Sequence, residues 1–283
     1  MTEGVPRPLT GWRVLVPRGG EWGERVAELL TGRGASATVV PVIEFRAPAD
    51  VAALDAAVTR LVEGLHDWLV VTSATTVTAL AARAAAMTGL APPEALSAAT
   101  AGTPVAAVGP GTARALERYG VTPALTPVGE SSAQGLAAEF PAPSVHTDPA
   151  GGRSARSVLL PQSDLAGSAL ADALRAGGWA VDVVIAYRTV TGPVPSVEVR
   201  EDMRSGCFDA VLLSSGSTVE GLLELVGPPP PTTLVCCIGP RTARSATEHG
   251  LTVHVVPHER SAEALVDALA QHALANRRTE EAP

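Results

Sequence analysis

Apolar residues along this chain recur as short unbroken runs, separated by stretches in which they fall at helical spacing. Arg13-Val14-Leu15-Val16-Pro17 predicts a buried strand. After an Arg18-Gly19-Gly20 loop, Trp22 to Arg33 carries Val26, Leu29 and Leu30 on one face and predicts a helix that Gly34 closes. Ala37 to Val40 predicts the next strand. The same order returns later, with a strand at Val158-Leu159-Leu160-Pro161, a helix over Leu165 to Ala176 ended by Gly177-Gly178, and a strand over Val181 to Val184. Aligning Val14 on Val158 sets the two passages 144 positions apart.

A second phrase repeats without a gap. His66-Asp67-Trp68-Leu69-Val70-Val71-Thr72-Ser73-Ala74-Thr75-Thr76-Val77 matches the twelve residues from Phe208 to Val219 at an offset of 142, and each copy is an apolar strand that stops in hydroxyl residues and turns into a helix. A third phrase pairs Val105 to Arg114 with Val235 to Arg244 at an offset of 130, because Met87 to Gly102 is an insertion in the first copy. Each third phrase leads to a glycine (Gly120, Gly250), a short predicted strand, a proline (Pro127, Pro257) and a final helix expected to open at Ser131 or Ser261. So long a period indicates a duplicated domain, not a solenoid.

Strands alternating with helices predict an α/β fold whose parallel sheets carry helices on both faces. The unbroken apolar runs suit strands buried on both sides. Two short extended segments, Val42-Ile43-Glu44-Phe45-Arg46 and Val184-Ile185-Ala186-Tyr187-Arg188, are near copies in which Phe45 is matched by Tyr187. Tyrosine keeps the flat ring and adds a hydroxyl that both donates and accepts. Pro141 to Ser157 reads as a surface loop, Pro228 to Pro231 as a rigid stretch capping a helix, and Asn276 to Pro283 as a frayed end.

At 283 residues the chain has room for two domains of ordinary size, and with 46% hydrophobic against 18% charged residues it has ample core material. Aromatic residues at 3% and a net charge of −8 argue against nucleic-acid binding. No lysine occurs, which rules out a Schiff-base lysine and the phosphate loop ending in Gly-Lys-Ser/Thr. Cys236 and Cys237 are adjacent in an apolar run and point to opposite faces of a strand, so they read as core residues and not as metal ligands. With Cys207 they make an odd count, and no apolar signal segment opens the chain and no run reaches membrane-spanning length, so a cytoplasmic protein without a membrane partner is expected.

In open parallel sheets, ligands collect beyond the carboxyl ends of the strands. Here those ends carry Arg18, Thr72 and Ser73, Gly109 to Thr112, Gln162 and Ser163, Ser214, Ser215 and Gly216, and Gly239 to Thr242 with Arg241. Hydroxyls and glycines at helix starts suit an anion, through backbone N–H groups and the helix dipole. They equally suit plain helix capping, and the residues leave both readings open. The six histidines are scattered without ligand spacing, Asp67 and Asp209 precede buried strands, and neither Gly-x-Ser-x-Gly nor a dinucleotide loop is present. An enzyme with this chain would use little side-chain acid–base chemistry.

Taken together, Val14-Leu15-Val16-Pro17-Arg18, Ala186-Tyr187-Arg188-Thr189, Leu213-Ser214-Ser215-Gly216 and Ile238-Gly239-Pro240-Arg241-Thr242-Ala243-Arg244 resemble the uroporphyrinogen-III synthase family in their order and spacing, over roughly Gly11 to Ala275. The resemblance implies two similar flavodoxin-like or Rossmann-like domains joined by a two-stranded linker. Residues 1–43 with 188–283 would form the first, 44–187 the second, with an active-site cleft between them. Two contiguous halves would also satisfy the repeat.

The resemblance further implies cyclisation of hydroxymethylbilane to uroporphyrinogen III, the precursor of haem, sirohaem and corrinoids, without metal or organic cofactor. Departure of the terminal hydroxyl leaves an azafulvene cation, and attack through the substituted carbon of ring D gives a spiro intermediate that fragments and recloses with that ring inverted. Tyr187 matches a family tyrosine thought to assist hydroxyl departure, Thr242 a family threonine in the product cleft, and Ser214-Ser215-Gly216 a binding strand end. The plainer alternative for Tyr187 is a packing aromatic like Phe45. The other strand-end residues, Arg18, Thr72, Ser73, Thr112, Gln162, Ser163 and Arg241, would receive the eight substrate carboxylates. A monomer is expected, with hydroxymethylbilane synthase as upstream donor. Many relatives carry Arg-Gly-Asp where this chain has Gln162-Ser163-Asp164, and Asn or Arg near Thr75, so binding there differs. Two alternatives stand beside this reading. One is a non-catalytic tetrapyrrole-binding or regulatory relative. The other is a sugar-nucleotide transferase, disfavoured by the lack of a recognisable ribose-binding carboxylate.

Overall fold

The computed structural model describes residues 7–130, 132–143 and 156–280. The chain divides into two compact units, Met1–Glu44 with Val190–Pro283, and Phe45–Thr189. It passes from the first to the second within β3 (Ile43–Arg46) and returns near the end of β7 (Ala180–Thr191).

The first unit contains β1 (Arg13–Val16), α1 (Gly20–Gly32) and β2 (Ser36–Val39), then α8 (Val197–Arg204), β8 (Ala210–Leu213), α9 (Gly216–Leu225), β9 (Leu234–Cys237), α10 (Pro240–Glu248) and α11 (Ala262–Glu280). Its sheet has the order β2-β1-β8-β9, and every pair is parallel. Alternate residues go to opposite faces, as strand geometry requires. Val14, Val16, Ala210, Leu212 and Cys236 pack with α1 and α11, whereas Leu15, Val211, Leu213, Val235 and Cys237 pack with α8, α9 and α10. Burial pushes both neighbouring thiols up, Cys237 to about 12, so neither ionises near neutrality and both serve as apolar filler.

The second unit holds α2 (Val51–Val62), β4 (Trp68–Val71), α3 (Ala74–Thr88), α4 (Pro92–Thr100), β5 (Val105–Ala107), α5 (Pro110–Arg118), α6 (Ala133–Glu139), β6 (Ser157–Ser163) and α7 (Ala169–Ala176). Its sheet runs β3-β7-β6-β4-β5, with β7-β6, β6-β4 and β4-β5 parallel. One face (Leu69, Val71, Leu159) is covered by α2, α3, α4 and α5, and the other (Val70, Val158, Leu160) by α6 and α7. The Met87–Gly102 insertion supplies α4, whose Ala95, Leu96 and Ala99 join the first of these cores.

The aspartates that precede the duplicated strands anchor neighbouring strands. Asp67 accepts the Ser157 N–H (2.8 Å) and pairs with Arg156, and Asp209 accepts the Arg13 N–H (2.7 Å). Each carboxylate thereby satisfies the first amide of an adjacent parallel strand.

Several local expectations need correction. The helix read from Leu165 begins at Ala169, because Ser163 Oγ accepts the Leu165 N–H and holds residues 163–166 in a turn. The short strands expected before Pro127 and Pro257 are single bridges, Ala106 to Leu125 and Cys236 to Val255. The crossing at Val184–Arg188 and the strand at Val181–Val184 are one twelve-residue strand. The C-terminal helix continues through Glu280, with only 281–283 of the end read as frayed outside the described residues. Ser131 and most of the Pro141–Ser157 loop also lie outside them. The described caps are Ser132, which accepts the Gly135 N–H, and Ser261, which accepts the Ala264 N–H.

Candidate functional site

The parallel sheets bring the strand-end residues together in two sets, one per unit. In the second unit, β6 lies between β7 and β4, and Ser163 sits opposite Tyr187 after an irregularity between Gln162 and Ser163. The Tyr187 ring spans the end of β6 and places its hydroxyl 3.3 Å from Ser73 Oγ at the end of β4. Ser73 is the N-cap of α3: its oxygen accepts the Thr76 N–H at 3.1 Å and lies 2.9 Å from Thr76 Oγ1. Thr72 precedes it, half-buried, and Gln162 is buried. On the neighbouring strand, Val108 N–H donates to Val71 O, and Thr112 is buried in the first turn of α5.

Asp164, named above only within the Gln162-Ser163-Asp164 segment, is a further neighbour of the site. Its Oδ1 accepts the Thr189 N–H (3.0 Å) and the Ser163 hydroxyl (3.1 Å), while the Asp164 N–H donates to Tyr187 O (3.2 Å). The Ser163 hydroxyl is thus engaged within its own turn, donating to Asp164 and accepting from Leu165. This arrangement gives the Gln162-Ser163-Asp164 segment its shape.

In the first unit, Arg18 ends β1 with its guanidinium 5.4 Å from the centre of the Trp22 ring. Ser214 and Ser215 end β8, and Ile238 N–H donates to Leu213 O, so the β8 and β9 ends lie side by side. Ser215 caps α9 in a reciprocal box with Thr218. The Thr218 hydroxyl accepts both the Ser214 and Ser215 N–H groups (3.1 and 3.0 Å) and donates to Ser215 O (2.7 Å). Two of the amides expected to face an anion are therefore spent on Thr218, while Ser214 Oγ is buried without a hydrogen-bond partner. Gly216 faces Ser245, where a Cβ would stand 3.1 Å from Oγ, so the β8 end also abuts α10. At that helix's first turn Thr242 is buried and Arg241 exposed, and the Arg260 side chain lies over Gly239.

Tyr187, Thr72, Ser73, Thr112, Gln162 and Ser163 thus belong to the second unit, and Arg18, Ser214, Ser215, Gly216, Arg241 and Thr242 to the first. Sequence reading did not single out Thr76 and Thr218, because threonine is not the Glu or Gln that marks a capping box at that position. Arg260 had no local signal, because only the return of the chain after Val255 brings it to Gly239. His66, buried and shifted down chiefly by that burial, precedes β4 at the end of the strand opposite Ser73. Among the described residues no three His, Cys, Asp or Glu side chains cluster as a metal site requires, and no helix is long and apolar enough to cross a membrane.

The family model for uroporphyrinogen-III synthase HemD matches residues 24–267. The chain belongs to the uroporphyrinogen-III synthase family. That family is an enzyme family of the lyase class, acting in tetrapyrrole biosynthesis. A curated protein of Methanothermobacter thermautotrophicus, provisionally named a uroporphyrinogen-III synthase, is 41% identical over 88 residues. The match covers 26% of this chain and 35% of the relative, so the chain spans about a third of that relative's length. Among solved structures, a mutant uroporphyrinogen III synthase of Thermus thermophilus matches with a TM-score of 0.62 at 21% identity, covering 94% of this chain and 100% of that one. The uroporphyrinogen-III synthetase of Helicobacter pylori matches with a TM-score of 0.57 at 15% identity, covering 92% and 99%. At these identities the likeness concerns the fold, and the fold of uroporphyrinogen-III synthases is the one described above.

Proposed function

We propose that this chain cyclises hydroxymethylbilane to uroporphyrinogen III, inverting ring D through a spiro intermediate. The observation that carries the reading is the Tyr187 hydroxyl, held at the carboxyl edge of its sheet 3.3 Å from the Ser73 hydroxyl, with Ser163 opposite it in the strand register. In this reading Tyr187 assists departure of the terminal hydroxyl. Thr72, Ser73, Thr112, Gln162 and Ser163 in one unit, and Arg18, Ser214, Ser215, Gly216, Arg241 and Thr242 in the other, receive the substrate carboxylates. Hydroxyls, a few guanidiniums and helix amino ends are sufficient donors for carboxylates, and the helix dipoles add to them. Selective folding of the bilane supplies much of the rate and the isomer choice, since holding reacting carbons together replaces a loss of freedom otherwise met in the transition state. The protein acts as a monomer, without cofactor, on bilane delivered by hydroxymethylbilane synthase.

One observation favours a second reading, a non-catalytic tetrapyrrole binder. Asp164 sets a carboxylate against the Thr189 N–H and occupies the Ser163 hydroxyl, which disfavours an anionic group at that point. A coupled assay that feeds freshly made hydroxymethylbilane to the protein and separates the oxidised type I and type III isomers decides between the two. Type III is expected to predominate. Type I alone, at the uncatalysed rate, would leave only the binder.

A further inference from the structure

The duplicated Ser-x-x-Thr segments are wired differently in the two units, and hydrogen counting shows what the difference does. A hydroxyl offers one proton and two lone pairs. In the first unit Thr218 uses all three locally, on Ser214 N–H, Ser215 N–H and Ser215 O. In the second unit Ser73 Oγ spends one lone pair on the Thr76 N–H. Its remaining lone pair and its proton face two other hydroxyls, Thr76 Oγ1 at 2.9 Å and Tyr187 OH at 3.3 Å, so it must donate to one and accept from the other. Thr76 is fully buried and Tyr187 half-buried, so this row of hydroxyls runs from the interior of α3 towards the carboxyl edge of the sheet.

We propose that Ser73 and Thr76 are positioning residues that set the direction of the Tyr187 hydroxyl, so that Ser73, counted above among the carboxylate receivers, acts instead through the tyrosine. The inference rests on the reading above, in which Tyr187 assists hydroxyl departure. When Thr76 donates to Ser73 and Ser73 donates to Tyr187, the phenolic proton points away from the protein row and is available to the substrate. In the departure step that proton passes to the leaving hydroxyl, the C–O bond breaks with its electron pair on oxygen, and water leaves. The charge developing on the phenolic oxygen then meets the Ser73 proton at once, without reorganisation. The proton released from the ring carbon at closure restores the phenol. When the row runs the other way, Tyr187 donates to Ser73 and presents only lone pairs. The preference between the two directions is set by the buried Thr76.

The chain has two tyrosines, Tyr119 and Tyr187, so tyrosine carrying 13C at Cζ yields two resonances, assigned with Tyr119→Phe. Ser73→Ala and Thr76→Val are expected to move the Tyr187 resonance and leave that of Tyr119 in place, which also reports that the unit remains folded. Ser73→Ala is expected to lower kcat about two- to tenfold, as for loss of one hydrogen bond, with KM unchanged. Ser73→Ala/Tyr187→Phe should be no slower than Tyr187→Phe alone, and Ser73→Thr, which keeps both cap and hydroxyl, should restore the rate. A Tyr187 resonance unmoved by Ser73→Ala, or losses that add in the double variant, would overturn the relay. Turnover unaffected by Tyr187→Phe, with the resonance still moved by Ser73→Ala, would instead overturn the role given to the tyrosine and leave the hydroxyl row standing.

Discussion

The rings of Phe45 and Tyr187 meet edge to face, with centroids 5.4 Å apart and planes at 89°. These are the corresponding residues of the two repeat copies, yet both lie in the second unit, because the chain crosses between units just before Phe45 and just after Tyr187. The phenylalanine is 41% exposed and braces the tyrosine from β3. Edge-to-face pairs contribute about 0.5–1.5 kcal/mol beyond the area they bury. Phe45→Ala should therefore free the Tyr187 ring and lower kcat by a factor of about two to ten, while Phe45→Tyr keeps the rate. Steady-state kinetics of the two variants checks this, and equal losses in both would remove the bracing role.

Tyr187→Phe removes one hydroxyl and no strong acid or base, so turnover should fall by about two- to tenfold. Thr242→Ala, at a buried position in the first turn of α10, should cost more if its hydroxyl meets a substrate carboxylate. Single-turnover rates of type III formation compare the two. An unchanged rate in both variants would remove these residues from the chemistry.

Thr218 closes the β8 end on itself. Thr218→Val leaves two backbone N–H groups without their acceptor and breaks the capping box, and should destabilise the first unit by about 1–3 kcal/mol. Thr218→Ser keeps the hydroxyl and should lose much less. Chemical denaturation of both variants measures the difference, and equal losses would mean that the methyl group's packing, not the hydroxyl, holds the segment.

Two histidines predict how stability varies with pH. His66 is lowered chiefly by burial, helped by Arg60 and opposed by Asp182, whose Oδ2 stands 3.7 Å from Nε2, and by Asp67. His254 is lowered chiefly by burial and also by His272, and its Nδ1 accepts the Val235 N–H at 3.0 Å, which a protonated ring cannot do. Both folded values lie below the usual histidine value, so as pH falls below about 6.5 the unfolded chain takes up protons that the folded chain refuses. Stability is undiminished above that pH and declines below it, until each folded value is passed. The melting temperature should drop between about pH 7.5 and about pH 5.5, and drop less in His254→Asn, whose carbonyl still accepts from Val235. An identical drop in that variant would place the acid sensitivity elsewhere.

Much of the architecture was legible along the chain. Leu69-Val70-Val71 and Val211-Leu212-Leu213 identify strands buried on both faces, and Ser73 and Ser215 identify the helix starts that follow, because these signals depend on neighbours within one turn or one strand. Adjacent Cys236 and Cys237 were readable as core on opposite faces for the same reason. The start of α7 was not, since the turn that delays it is held partly by the Thr189 N–H, 25 positions away. Nor were the single bridges at Leu125 and Val255, where β propensity was right but only one pairing forms.

The sequence by itself determined the duplicated α/β plan and the residues at the strand ends, because alternation, capping and turn chemistry act over a few positions. Only the tertiary structure decided which of those residues meet. Whether a serine at a strand end is merely a cap or also a partner depends on what a distant strand brings to it. Ser215 meets its own helix, whereas Ser73 also meets Tyr187, 114 positions away across the end of β6.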